Sequence, residues 1–200
     1  MCNNRRNKPQ SGVTLIELVV AIIVLSVALS GVLKMFELIN RGSTDPLVRK
    51  QALAIAESLL QEVQQQAFTL CDPDDANASI ALAATDCNSL DQNAGGAALA
   101  GPIPNTESRY SQTDPLDNVA DYAGFTMPDA SCAGICNPGD ATPLPNLAGY
   151  AASVTVTRAG AAAPFAAAPL DAVLRVQVRV TGPAATEVNL TGYRLRYAPN

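Results

Sequence analysis

Gly12-Val13-Thr14-Leu15-Ile16-Glu17 opens an aliphatic run that continues to Leu33 and carries one charged side chain, Glu17. Arg5, Arg6 and Lys8 precede it. A secretory signal places its small-residue cleavage site after the apolar run, so the run is lost on processing. Here the small residue, Gly12, stands before the run. Residues 13–33 would form a helix about 31 Å long, enough to span a hydrocarbon core. Thr14, Ser26 and Ser30 are expected to satisfy their hydroxyls on the preceding turn. An ionised carboxylate in a bilayer is costly unless paired, which reads Glu17 as functional. The plain alternative is an acid favoured by the helix dipole at an N-terminus, near enough to the interface to stay wet. Lys34, Arg41, Arg49 and Lys50 follow the run, so flanking charge is nearly balanced and does not fix orientation.

This order of basic leader, Gly12, apolar helix and Glu17 resembles the prepilin leader of type IV pilins and type II secretion pseudopilins. The resemblance implies cleavage after Gly12 by a prepilin peptidase, N-methylation of Val13, and retention of the helix. Val13 departs from the Phe or Met usual at the methylated position. Glu17 then falls at the fifth mature position, where the family's Glu pairs with the N-terminal ammonium of a neighbouring subunit during assembly. The N-terminus would lie in the cytoplasm and the C-terminal domain in the periplasm, anchored by one span in the bacterial inner membrane until assembly into a pilus or pseudopilus. Partners implied are the peptidase, other pilins or pseudopilins, and an inner-membrane assembly platform.

Two hundred residues suggest one domain plus an appendage. The first twelve residues carry three of the thirteen basic side chains and no acid, so their loss would take the net charge from −5 to −8. Such a chain has no electrostatic footprint for nucleic acid. With no His, Cys–His and Ser–His catalysis is excluded, and no other enzyme signature assembles. Cys2 lies in the leader. Cys71, Cys87, Cys132 and Cys136 are an even set, read as disulfides in an oxidising compartment. Of the three pairings, Cys71–Cys87 and Cys132–Cys136 are favoured because each closes a short loop. A zinc site is the alternative, weakened by the lack of His and of a second close pair.

A helix break is expected at 42–45, because Gly42 suits a helix C-terminus, Asp45 an N-cap and Pro46 a first helical position. A second helix is expected over 46–68, with Val48, Ala52, Ile55, Ala56, Leu59, Val63 and Ala67 forming one apolar stripe. Residues 71–148 are the least periodic, with short helical turns expected at 80–84 and 117–122. Between residues 71 and 157 stand eleven acids and one base, Arg109. Within this part Asp72, Asp74 and Asp75 raise a calcium option, though Ala76 breaks the ligand order of an EF-hand. Alternation then predicts strands at 150–157, 173–181 and 188–197. Leu174, Val176, Val178 and Val180 should face a core while Arg175, Gln177 and Arg179 face water.

The expectation is an α+β, pilin-like fold: a leader over 1–12, a transmembrane or filament-core helix over 13–41, and a globular domain over 46–200. That domain lays its helix on an antiparallel sheet of three or four strands and carries a variable disulfide-bearing region over 71–148. Residues 44–63, Asp117-Asn118-Val119-Ala120-Asp121-Tyr122-Ala123-Gly124-Phe125, and Leu190-Thr191-Gly192-Tyr193-Arg194-Leu195-Arg196-Tyr197 resemble minor pilins of the mannose-sensitive haemagglutinin pilus, the MshD-like group. This implies a subunit that primes or caps assembly. A type II secretion pseudopilin and an adhesive tip subunit are the alternatives.

Overall fold

The computed structural model describes residues 12, 14–92, 99 and 101–196, with backbone alone over 38–45. Most of the expected leader, and Val13, lie outside the described residues. By packing, the chain divides between Thr44 and Asp45 into two units.

Helix α1 runs Leu15–Gln65 with Pro46 inside it. The interruption expected at 42–45 is therefore absent from the backbone. Pro46 removes the bond its own N–H would donate to Gly42 and its ring crowds that carbonyl, together at a cost of about 3 kcal/mol. Strong helix formers on both sides, Leu, Lys, Glu, Gln and Ala, carry the backbone through. The helix also stops three residues before the expected end at 68. Ala67 leaves it to pair with the chain near Asn118: the Ala67 N–H donates to Asp117 O at 3.1 Å, and the Val119 N–H to Ala67 O at 2.9 Å.

The second unit is built on four antiparallel strands in sequence order: β1 Thr126–Met127, β2 Ala151–Arg158, β3 Val173–Gly182 and β4 Thr186–Leu195. Strand β3 is central, pairing Val154↔Val178 and Val156↔Val176 on one side, Val176↔Gly192 and Val178↔Leu190 on the other. Its alternation follows the sequence pattern. Leu174, Val176, Val178 and Val180 are fully buried, whereas Gln177 and Arg179 are exposed. These valines share a core with Ala52, Ala56, Leu59 and Val63 of α1. Burying each such aliphatic side chain stabilises the fold by about 1.5–3 kcal/mol. Small residues set how closely helix and sheet approach. A Cβ at Gly192 would lie 3.2 Å from Leu60 Cδ1 and would collide with the Gln64 amide.

Between α1 and β1 the chain is irregular, with 3-10 turns at Ala84–Asp86 and Val119–Tyr122. The first turn lies beyond the expected 80–84, because Asp86 accepts the Leu82 and Ala83 N–H groups and so fixes the turn at 84–86. Disulfides Cys71–Cys87 and Cys132–Cys136 close this region into local loops.

Candidate functional site

At the start of α1, Thr14 and Glu17 satisfy each other. The Thr14 N–H and hydroxyl donate to Glu17 Oε2 at 3.3 and 3.2 Å, and the Glu17 N–H donates to Thr14 Oγ1 at 3.4 Å. This is a capping box, Thr at the cap and Glu three residues on, which occupies N–H groups that have no partner within the helix. Thr14 therefore caps forward instead of bonding a preceding turn. Ser26 and Ser30 do bond back, donating to Ile22 O at 2.7 Å and Ser26 O at 2.9 Å. The single carboxylate is thus held at the helix entrance, exposed, with its charge partly met by two donors.

Beyond it the helix offers no polar face. Leu15–Glu37 has a mean hydropathy of 2.7 and is long and apolar enough to cross a membrane. Its large side chains are exposed all round: Ile16 is 72%, Leu25 60% and Leu33 68% accessible. An all-round apolar helix must be covered by lipid or by other apolar helices. Gly12 is exposed, and a Cβ there would meet no atom within 4 Å.

Residues 7–33 match the family model described as the prokaryotic N-terminal methylation motif. The chain carries a prokaryotic N-terminal methylation motif. The match covers Gly12 and Glu17 and supports a type IV pilin-like prepilin, and the helix it enters is long and apolar enough to cross a membrane. No curated protein and no solved structure matches the chain.

The second unit treats its acids in three ways. Asp75 is a hub for backbone amides. Its Oδ1 accepts the Asn77 and Asn88 N–H groups, its Oδ2 those of Ser89 and Leu90, all at 2.8–3.0 Å. These bonds hold its carboxyl well below the usual carboxylate range. Glu62, on α1, forms a bidentate pair with Arg109 at 2.6 and 2.8 Å and accepts the Tyr122 hydroxyl at 2.8 Å. Arg109 Nη1 also donates to Cys136 O at 2.7 Å, tying the helix to the second disulfide loop.

Asp72, Glu107, Asp117 and Asp121 form the third group, with one oxygen of each within 4.8 Å of the others. Asp72 accepts the Asp74 N–H and the Gln92 amide, both at 2.8 Å. Asp121 accepts Gln92, Ile103 N–H and Asn118 N–H. Neither oxygen of Glu107 accepts a hydrogen bond, nor does Asp117 Oδ1, and Glu107 faces Asp121 carboxyl to carboxyl. Burial raises the pKa of all four carboxyls, that of Asp117 to about 6; repulsion among them adds to the rise at Asp72, Glu107 and Asp117.

The acids singled out in the sequence are thus separated by the fold. Asp72 enters the buried group, Asp75 serves the backbone, and Asp74 is exposed beside Glu107 and Asp114. Sequence reading missed Glu107, Asp117 and Asp121 as cluster members, since they stand 35, 45 and 49 residues from Asp72. It also missed the Glu62–Arg109 pair, whose one visible signal was that Arg109 is the sole base among eleven acids. Elsewhere, a cleft of about 270 Å³ lies between α1 and the second disulfide loop, lined by Ile55, Leu59, Met127, Ile135, Leu144 and Leu147.

Proposed function

We propose that the chain is a minor pilin of a type IV pilus, of the mannose-sensitive haemagglutinin kind, cleaved after Gly12 and N-methylated on Val13. The observation that carries the proposal is the methylation motif at residues 7–33 leading directly into an all-round apolar, exposed helix. A helix of that kind suits two successive environments, a bilayer before assembly and a bundle of like helices afterwards. Glu17 supports the same reading. Its carboxylate sits one turn from the expected new N-terminus and, among the described residues, is held by Thr14, an arrangement that exchange for the ammonium of a neighbouring subunit would improve. A structural role as a filament subunit, handed on by an inner-membrane platform with the head in the periplasm, follows from this reading.

A pseudopilin of a type II secretion system shares these features and is the second reading; the motif favours neither. Mass spectrometry of the N-terminal peptide from protein in its native cells tests the proposal. A peptide starting at N-methylated Val13 is expected. A chain still starting at Met1 overturns it, and Glu17 then remains an ordinary capping residue. Recovery of the processed chain in sheared surface fibres separates the pilus from the secretion reading.

A further inference from the structure

We propose that Asp72, Glu107, Asp117 and Asp121 bind one calcium ion, which fastens the irregular segment following α1. Calcium takes six to eight oxygen ligands at about 2.3–2.6 Å, so any two oxygens of one shell lie within about 5 Å of each other. One oxygen from each of the four carboxylates meets that limit, all lying within 4.8 Å.

Proximity alone would not make a site. The second observation is what the fold leaves undone. Asp72, Glu107 and Asp121 are 0%, 5% and 2% exposed, yet both Glu107 oxygens and Asp117 Oδ1 accept no hydrogen bond. Buried polar atoms are nearly always partnered, and an unpaired buried carboxylate is among the costliest exceptions. This same fold supplies partners to its other enclosed acids: four backbone N–H groups to the buried Asp75, a guanidinium and a phenol to the half-buried Glu62. Among the described residues the ion pairs join Arg109 to Glu62, Arg179 to Glu187 and Arg196 to Asp171, and none reaches the four acids. Gln92 is placed among them as well. Its amide nitrogen, with two hydrogens, faces Asp72, Asp121 and Ile103 O at 2.8–2.9 Å, while its own Oε1 is buried without a partner. The group is rich in acceptors and short of positive charge.

Ligand chemistry selects the metal. Every available donor is oxygen, the chain has no His, and the four head cysteines are in disulfides, which excludes a zinc-type set. Magnesium demands a near-ideal octahedron and keeps several waters, whereas four converging carboxylates suit the larger, more tolerant calcium shell. A pocket of about 190 Å³, lined by Gly101, Pro102, Glu107, Leu116 and Asp121, gives the ion an approach. Once bound it would join the start of the first disulfide loop to the 107 segment and to the 117–122 turn, which itself pairs with Ala67 beyond α1.

The test uses the full chain in detergent, stripped with a chelator, with calcium alone as the probe. Calorimetric titration should show one ion per chain, and saturating calcium should raise Tm by roughly 5 °C or more. In chelator, Glu107→Gln should melt close to the unsubstituted protein, because the amide keeps the shape of the buried carboxyl, and it should lose the calcium-induced rise. Asp117→Asn, at the half-buried side of the group, should also lose most of that rise, and it serves if the first variant folds poorly. Absence of a calcium response in the unsubstituted chain overturns the proposal. So does an undiminished response in both variants, which would put the ion elsewhere. An equal response to magnesium overturns the choice of calcium.

Discussion

Glu17 and Glu62 show what a single carboxylate does when its surroundings differ. Glu17 caps a helix in the open, its partners being Thr14 N–H and hydroxyl. Glu17→Ala should therefore leave the melting of the head unchanged within experimental error, by differential scanning calorimetry, while removing the chain from sheared fibres. Loss of stability in step with loss of assembly would mean the residue serves folding instead. Glu62 is committed to the core through Arg109, whose side chain is 5% exposed. Removing one member of a fully buried pair costs about 3–5 kcal/mol, and the lower end applies here because Glu62 is half-buried and keeps the Tyr122 hydroxyl. Arg109→Ala should lower stability by that much in urea unfolding. Arg109→Met should recover only part, since it fills the space but leaves Glu62 with the Tyr122 hydroxyl and no cation.

At the scale of elements, the first disulfide loop is organised as much by Asp75 as by sulfur. The bridge fixes Cys71 to Cys87, and Asp75 then gathers the N–H groups of residues 88–90. A carboxylate whose folded pKa lies below its unfolded value contributes stability that is present above the unfolded pKa and lost as pH falls through the folded one. Asp75 is such a group, lowered from 3.8. Asp75→Asn should melt below the unsubstituted protein at neutral pH, and the difference should shrink progressively below about pH 4. A difference independent of pH would show that charge is not what holds this loop. The strands are simpler. β3 alternates Val and Leu with Arg and Gln, so its inner face follows from a period of two, and hairpin partners add only register.

For the whole molecule, two units with separate demands share one helix. The first has an apolar surface that water does not tolerate; the second has its own core, made by the later part of α1 and four strands. Residues 45–200 expressed alone should give a soluble monomer with helical and sheet circular dichroism, while the full chain requires detergent. Failure of 45–200 to fold, with its disulfides formed, would show that the core depends on the preceding helix.

The sequence by itself determined what short-range pattern can encode. The apolar run with its glycine and acid, the helical stripe 48–63 and the alternating strands each depend on neighbours a few residues apart. The disulfide loops were legible for the same reason, since close cysteines close cheap loops. The continuity of α1 through Pro46 was not legible, because cap signals at 42–46 compete with helix formers on both flanks and only the outcome shows which prevail. Nor were the partners of the acids. Asp72, Asp74 and Asp75 look alike in the chain, and tertiary structure alone gave them a buried cluster, an exposed edge and a cradle of amides. Charge and burial act through space, and the residues that complete those surroundings, Gln92, Glu107, Asp117 and Asp121, are brought in from well beyond any local window.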